Sequence, residues 1–325
     1  MKIKLYIFLF IILIIGISCS PDDDNGIIQI PEADRTEQQV IDNDSLLAYL
    51  QTHYINEFFV LNNPNSSFSE IEIFELPENG EIPNPDENSL LIDIVQTFTT
   101  TYLDIEYDYF ILKINQGGSE TSPNFSDKVR VSYEGTLMDD TVFDSSASPV
   151  DFDLTATIAG WGRVLPEFNN ALDFYVNNDG TVTYNDPGVG IMFLPSGLGY
   201  YSAAAGIVPV YSNLIFKFKV FQSESNDHDF DNVPSHIEDL DGDYDLTNDD
   251  SDDDSFANFV DSDDDNDGTL TVDEDLEPDT DLLVDRDGDG DPTNDIGDGD
   301  PTNDDTDGDG IPNYLDADDS ASRND

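Results

Sequence analysis

Cysteine is all but absent from these 325 residues, Cys19 being the only one. A lone thiol excludes an internal disulfide. The three histidines, His53, His228 and His236, are scattered without cluster spacing, so a zinc site has no support either. Bases are scarce: 11 Lys and Arg stand against 72 Asp and Glu, for a formal net charge of −61. Such a chain does not neutralise phosphates, which excludes nucleic acid as a partner, and it does not adhere electrostatically to anionic lipid. Multivalent cations are its natural partners. The apolar run at residues 5–17 covers 13 residues, too few for a comfortable membrane span.

That run follows Lys2 and Lys4, which makes residues 1–18 an expected signal peptide. It ends in GISC at residues 16–19, where the position of Cys19 resembles a bacterial lipobox with Gly16 in place of the usual Leu. The resemblance implies diacylation of Cys19, a membrane anchor through that lipid, and an outer-membrane lipoprotein of the cell envelope, periplasmic or surface-exposed. Residues 19–41 read as the linker. Its opening SPDDDN resembles the acidic tags of surface-exported lipoproteins, and reads equally well as a solvated tether.

Charge distribution says where else to cut. Residues 223–325 hold 40 of the 72 acids and only Arg286 and Arg323 as bases. The expected segments are therefore 42–104, helical and irregular; 105–222, a globular domain; and 223–325, an acidic tail. Leu46, Leu47, Leu50, Tyr54 and Phe58 fall near helical spacing, which predicts an amphipathic helix over residues 42–60. Residues 62–104 are rich in Asn, Pro and Glu and suggest no function.

The most informative stretch is VRVSYEGTLMDDTVFDSS at residues 129–146. Val129, Val131 and Tyr133 alternate as in a half-buried strand, a polar turn follows Gly135, and a second short strand carries Phe143. The stretch resembles the signature of the FKBP-type peptidyl-prolyl cis-trans isomerases, V-x-Y-x-G-x-L-x-D-G-x-x-F-D-S-S, with Asp140 where Gly is usual. Further motifs resemble that family in its own order over residues 107–222: YFILKI at 109–114 with Gly117 and Gly118 after it, PVDFDL at 149–154, IAGW at 158–161, LPSGLGY at 194–200, and GIVP at 206–209 before NLIFKFKVF at 213–221.

The resemblance implies an α+β fold, an FKBP-like antiparallel half-barrel wrapped on a short helix, with isomerisation of X-Pro bonds as its activity and proline-containing polypeptides as its clients. Catalysis needs no cofactor. Carried over by position, Trp161 is the floor of the pocket, Tyr133, Phe143 and Phe216 its walls, and Val208 its rim. Ile158 offers a backbone N–H to the substrate carbonyl, and the Tyr200 hydroxyl bonds the chain beside the proline. Asp144 bonds Tyr133 or polarises the surroundings of the bound carbonyl. The wall of the bulged strand is Val150, or Phe152 one pleat on. In an alternative alignment VLPEF at 164–168 opens the helix, which displaces Trp161. Residues 166–190 are longer than the family's connection, and Asn178-Asp179-Gly180 marks a hairpin there.

Aspartates at alternate positions, a Gly or Asn at the sixth and a carboxylate at the twelfth make a calcium loop. Residues 263–274 have this pattern, with Asp263, Asp265, Asp267, the Thr269 carbonyl and Glu274 as ligands. Residues 227–238 offer Asp227, Asp229, Asp231 and Glu238; residues 305–316 offer Asp305, Asp307, Asp309 and Asp316. The latter two loops share V/I-P at the seventh and eighth positions and resemble thrombospondin type 3 repeats, which implies a tail ordered by structural calcium with little hydrophobic core. Between them GDGDPTND occurs at 288–295 and again at 297–304, supplying Asp289, Asp291, Asp298 and Asp300. The plain alternative is an acidic tail that stays disordered. The whole reads as a lipid-anchored isomerase trailed by an irregular calcium-loop stalk, each loop ordering by itself. The rival is a non-catalytic, calcium-dependent surface binding or adhesion protein that uses the barrel as a scaffold.

Overall fold

The structure, a computed structural model, describes residues 32–275 and 300–320. Cys19, the signal-like run and the repeat aspartates Asp289, Asp291 and Asp298 lie outside these residues. The described residues from Asp34 onward belong to one compact unit. No helix among the described residues is long and apolar enough to cross a membrane.

A six-stranded antiparallel sheet organises the domain. Its strands are β4 (Gln96–Tyr102), β5 (Ile105–Asn115), β6 (Lys128–Thr136), β7 (Val142–Asp153), β10 (Gly188–Leu194) and β11 (Leu214–Glu224), in the spatial order β4-β5-β10-β11-β6-β7. Period-two alternation sends side chains to two faces. Tyr109, Ile111, Val129, Val131, Tyr133, Met192, Leu194, Phe216, Phe218 and Val220 pack on the concave face around Trp161. Phe110, Leu112, Ile114, Val189, Ile191, Phe193 and Ile215 point to the other face and are buried as well. The half-barrel expected from the sequence is present. So is the hairpin of the long connection, with β8 (Asp173–Val176) and β9 (Val182–Asn185) joined around Gly180 at φ +85°.

The second face is covered by the segment to which the sequence assigned no function. Helix α1 (Arg35–Thr52) lays Leu46, Tyr49 and Leu50 on it. The expected helix at 42–60 is therefore displaced. Asp34 caps α1 upstream, its carboxylate accepting from the N–H groups of Thr36 and Glu37. The chain leaves the helix after Thr52 because β1 (His53–Ile55) pairs on both sides, with β2 (Ile73–Glu75) and β3 (Ser89–Leu90). Tyr54 thus lies in a strand, and Phe58 is exposed on the short α2 (Glu57–Asn62). Helix α3 (Leu91–Ile94) follows β3 and buries Leu91 in the same layer.

Three expected boundaries fall within the folded elements, 222/223 among them, since β11 runs to Glu224. Position 41/42 falls inside α1, so residues 35–41 are helix rather than linker, and 104/105 falls at the β4–β5 turn, so the barrel sheet begins at Gln96. Lys219 donates to the Ser66 carbonyl at 2.8 Å and Lys217 to that of Phe68 at 3.3 Å, which ties the layer to β11.

One polar contact pins α1 to the far end of the sheet. Asp42, 2% exposed, accepts from the Ser196 N–H at 2.9 Å and the Ser196 hydroxyl at 2.6 Å, and its own carbonyl accepts from Asn213. Burial raises its carboxyl pKa against the lowering effect of these bonds. Asp42→Ala leaves the sealed Ser196 donors without an acceptor, a loss of about 1–3 kcal/mol. Urea unfolding should register that loss, and a change below about 0.5 kcal/mol would show that the contact stabilises nothing.

Candidate active site and acidic loops

The concave face of the sheet closes on a six-residue helix, α4 (Ala159–Val164), with Ile158 at its N-terminal boundary. Gly160 lets α4 lie against Leu194, since a Cβ there would collide with the leucine's Cδ1. Trp161 enters the core 4% exposed, its indole ringed by Phe216 at 5.0 Å, Phe152 at 5.6 Å, Tyr133 at 5.7 Å and Phe218 at 5.9 Å between centroids. Residues 165–167 form a separate 3-10 turn after the helix, so the alternative alignment through VLPEF fails and Trp161 keeps its place.

Above the indole lies a cavity of about 370 Å³, lined by Tyr133, Asp144, Phe152, Ala156, Thr157, Ile158, Trp161, Tyr200 and Phe216. Six of the eight residues expected at the pocket therefore meet there. Phe143 does not line the cavity. It sits where the β6–β7 register shifts, between the Gly135↔Asp144 and Thr136↔Val142 pairs. Its ring meets Phe216 edge-on at 5.4 Å, from behind. A Cβ at Gly135 would come within 2.7 Å of both rings, so the missing side chain makes that contact. Val208 is 2% exposed and closes a tight turn with Ala205, in the core behind the rim. In the bulged strand it is Phe152, not Val150, that reaches the cavity. Ala156 and Thr157 were not anticipated. They belong to the 3-10 turn at Leu154–Ala156 and its cap, which carry no motif.

Polar groups are few and placed. The Tyr133 hydroxyl donates to Asp144 Oδ2 at 2.6 Å. Burial and that bond raise the Tyr133 pKa, and burial with the Asp144 charge raises that of Tyr200, so both phenols keep their protons at neutral pH. The Tyr200 hydroxyl and the Ile158 N–H make no hydrogen bond among the described residues, and remain available as donors at the cavity wall. At the β6–β7 turn, Asp140 takes φ +66°, a conformation that Asp tolerates and Gly favours, which accounts for the departure from the signature.

The tail is organised by a repeated geometry. In the loops at 227–238, 263–274 and 305–316 the ninth residue's N–H bonds the carbonyl just before the loop: Ser235 to Asn226, Thr271 to Ser262, Asn313 to Asp304. The fourth and sixth residues all have positive φ. A fourth loop, residues 250–261, repeats both features through Asn258 to Asp249 and through Asp253 and Ser255. The sequence reading missed it because Ser255 stands where Gly or Asn was required; aspartates at 250, 252, 254 and 261 were the available signal. Asp239, Asp241 and Asp249 also converge, a shorter loop equally unread.

Carboxylate oxygens gather within 4.8 Å of one another in Asp227/Asp229/Asp231, Asp250/Asp252/Asp254 and Asp263/Asp265/Asp267. Glu238 and Glu274, 0% and 1% exposed, have all four carboxylate oxygens sealed from solvent and without hydrogen bonds. Burial first, then neighbouring aspartates, push Glu238 up to about 10 and Glu274 to about 9. A hard divalent cation is the group these oxygen donors suit. Thr269 donates its N–H to Asp267 at 2.6 Å, which leaves its carbonyl at the seventh position of the loop. Asp305 accepts from the N–H groups of Gly308 and Gly310, and Asp307 and Asp309 from those two residues on, with Asp316 at the twelfth position.

Nor is the described part of the tail a trailing stalk. His228 meets Asp153 at 3.2 Å and Tyr244 meets Phe125 edge-on at 5.0 Å. The Arg163 guanidinium of α4 lies between the Tyr102 and Tyr244 rings at 4.9 and 5.7 Å. The tail thus rests on the back of the helix that carries Trp161.

The family model for FKBP-type peptidyl-prolyl cis-trans isomerases matches residues 119–221. An Aeromonas hydrophila protein named FKBP-type peptidyl-prolyl cis-trans isomerase FkpA is 31% identical over 126 residues, covering 37% of this chain and 40% of the relative. Outer membrane protein MIP of Legionella longbeachae is 43% identical over 56 residues, 16% of this chain and 24% of that one. The crystal structure of FkpA from Escherichia coli is similar at 24% identity and TM-score 0.31, over 40% of this chain and 52% of the other. The chain thus spans well under two thirds of the curated relatives it matches. Residues 119–221 thus match an FKBP-type peptidyl-prolyl cis-trans isomerase domain.

Proposed function

We propose that this chain catalyses cis-trans isomerisation of X-Pro bonds in polypeptides of the cell envelope, and that calcium orders its acidic tail. Amide resonance opposes rotation with a barrier of roughly 18–20 kcal/mol. The twisted amide has lost that resonance and is less polar, so an apolar pocket that grips the pyrrolidine ring favours it over the planar ground state. The convergence of Trp161, Phe152, Phe216, Tyr133, Asp144, Ile158 and Tyr200 on one cavity carries the reading. Trp161 and Phe216 form the apolar floor and wall. The Ile158 N–H and Tyr200 hydroxyl supply donors to the carbonyls flanking the proline, and Asp144 fixes the Tyr133 ring through its hydroxyl. No cofactor takes part in this chemistry.

A rival reading, a binding protein without catalysis, draws support from the exposed apolar hairpin bearing Phe174, Tyr175 and Val176. An assay on a short peptide with one X-Pro bond separates the two. The full chain should accelerate exchange, and Trp161→Ala and Asp144→Ala should each lower kcat/KM about tenfold or more, equivalent to about 1.4 kcal/mol of transition-state stabilisation. Exchange at the uncatalysed rate with the unaltered protein would leave only the binder.

Calcium in the tail is supported by the repeated aspartate spacing and the sealed glutamates. Glu274→Gln should remove about one bound ion and leave the loops at Asp227 and Asp305 titrating. Magnesium should replace calcium poorly, because it prefers a tighter octahedron and keeps its waters. If magnesium or simple salt compacts the protein as well as calcium does, screening explains the effect instead.

The lipobox-like position of Cys19 and the printed name of the Legionella relative support anchoring at the outer membrane. In cells fed a labelled fatty acid, the unaltered chain should take up label and Cys19→Ser should not. Equal labelling of both, or of neither, contradicts the anchor.

A further inference from the structure

Loop-by-loop binding leaves one buried carboxylate, Asp264, without a role, and it meets two ligands of a different loop. Asp231, Glu238 and Asp264 are 0%, 0% and 2% exposed, and one ligand atom from each lies within 4.8 Å of the others. The first two belong to the loop at 227–238. Asp264 comes from the loop at 263–274, where it is the second residue, a position that does not ligate in its own loop. Thr271 donates to Asp264 Oδ2 at 3.2 Å and so fixes the carboxylate's orientation. Its Oδ1 is sealed and makes no hydrogen bond, and the same holds for Asp231 Oδ2 and both oxygens of Glu238. None of the salt bridges among the described residues involves the cluster.

Three carboxylates in a solvent-free space repel strongly, because little water screens them. Protonation or a cation must relieve that repulsion. Four inward oxygens from three side chains, with no nitrogen or sulfur donor among them, match the oxygen shell of calcium rather than that of zinc. Magnesium, which retains several waters and takes one or two carboxylates, suits so dry a cluster less.

We propose that Asp231, Glu238 and Asp264 hold a calcium ion between two loops, with Asp264 as the ligand supplied across the interface. The inference rests on the reading that the tail binds calcium, and it changes that reading's consequence. Asp231 also belongs to the Asp227/Asp229/Asp231 group, so its carboxylate bridges the loop's own site and the shared one. Tyr314 of the loop at 305–316 is buried near the same carboxylates, and burial first, then their charges, raises its phenol pKa. The loops then order together rather than singly.

Equilibrium dialysis of the full chain with radioactive calcium tests this. Asp264→Asn keeps the side chain's size and its bond from Thr271, and should bind one ion fewer than the unaltered protein. Asp253→Asn, an exposed fourth-position control, should bind the same number. An unaltered protein that binds no calcium defeats the tail reading itself; calcium binding with an unchanged count in Asp264→Asn defeats only the shared site. Anomalous diffraction from crystals grown with terbium gives a second reading independent of any variant. A peak at coordination distance from all three carboxylates supports the site, and peaks in the loop centres with none there overturn it.

Discussion

A sheet that is apolar on both faces has to be covered twice, and most of the architecture follows from that constraint. Exposing either face would leave at least seven large side chains in water, at about 1.5–3 kcal/mol for each that folding would otherwise bury. The concave face is closed by α4, whose Trp161 meets four aromatic rings and leaves one cavity beside them. The opposite face is closed by α1 and the short strands that follow it. Asp42 ties this second covering to the site, since it binds Ser196 in the segment that leads to Tyr200 at the cavity wall. The layer is therefore part of the scaffold that positions the site.

Charge is the second constraint. Forty of the 72 acids lie beyond residue 222, and the described loops turn several of them inward. Self-repulsion on this scale opposes any compact state unless cations enter it. The tail's contacts with the barrel run through Asp153, Phe125 and Arg163. Leu154, Thr155 and Thr157, from the turn beside the cavity over Trp161, line a separate cavity against Tyr244 and Leu246 of the tail. Tail order and pocket geometry thus share a wall.

What the sequence made legible was whatever repeats or alternates. Strand β6 alternates at Val129, Val131 and Tyr133, and the family-like motifs that begin there lead to Tyr133, Asp144 and Trp161. The 12-residue loops could be read wherever Gly or Asn marked the sixth position, and went unread at Ser255, where a serine adopts the same positive φ. The strands of the covering layer were illegible because β1, β2 and β3 are two or three residues long and have no periodicity, so only the sheet they cover gives them a reason. Phe143 falls behind the cavity, and Phe152 rather than Val150 reaches it, for a comparable reason. Register shifts in the β6–β7 pair decide which ring reaches the cavity, and pairing register is not written in residue identity alone.

The central claim is that the cavity over Trp161 receives a prolyl residue and turns its amide. Trp161 is the one tryptophan of the chain, so its indole N–H gives a single, unambiguous nuclear magnetic resonance signal. Titration with a short peptide containing one X-Pro bond should move that signal saturably while exchange peaks grow between the peptide's cis and trans forms. An indole resonance unmoved by millimolar peptide, with cis and trans signals exchanging no faster than in buffer, would contradict the account.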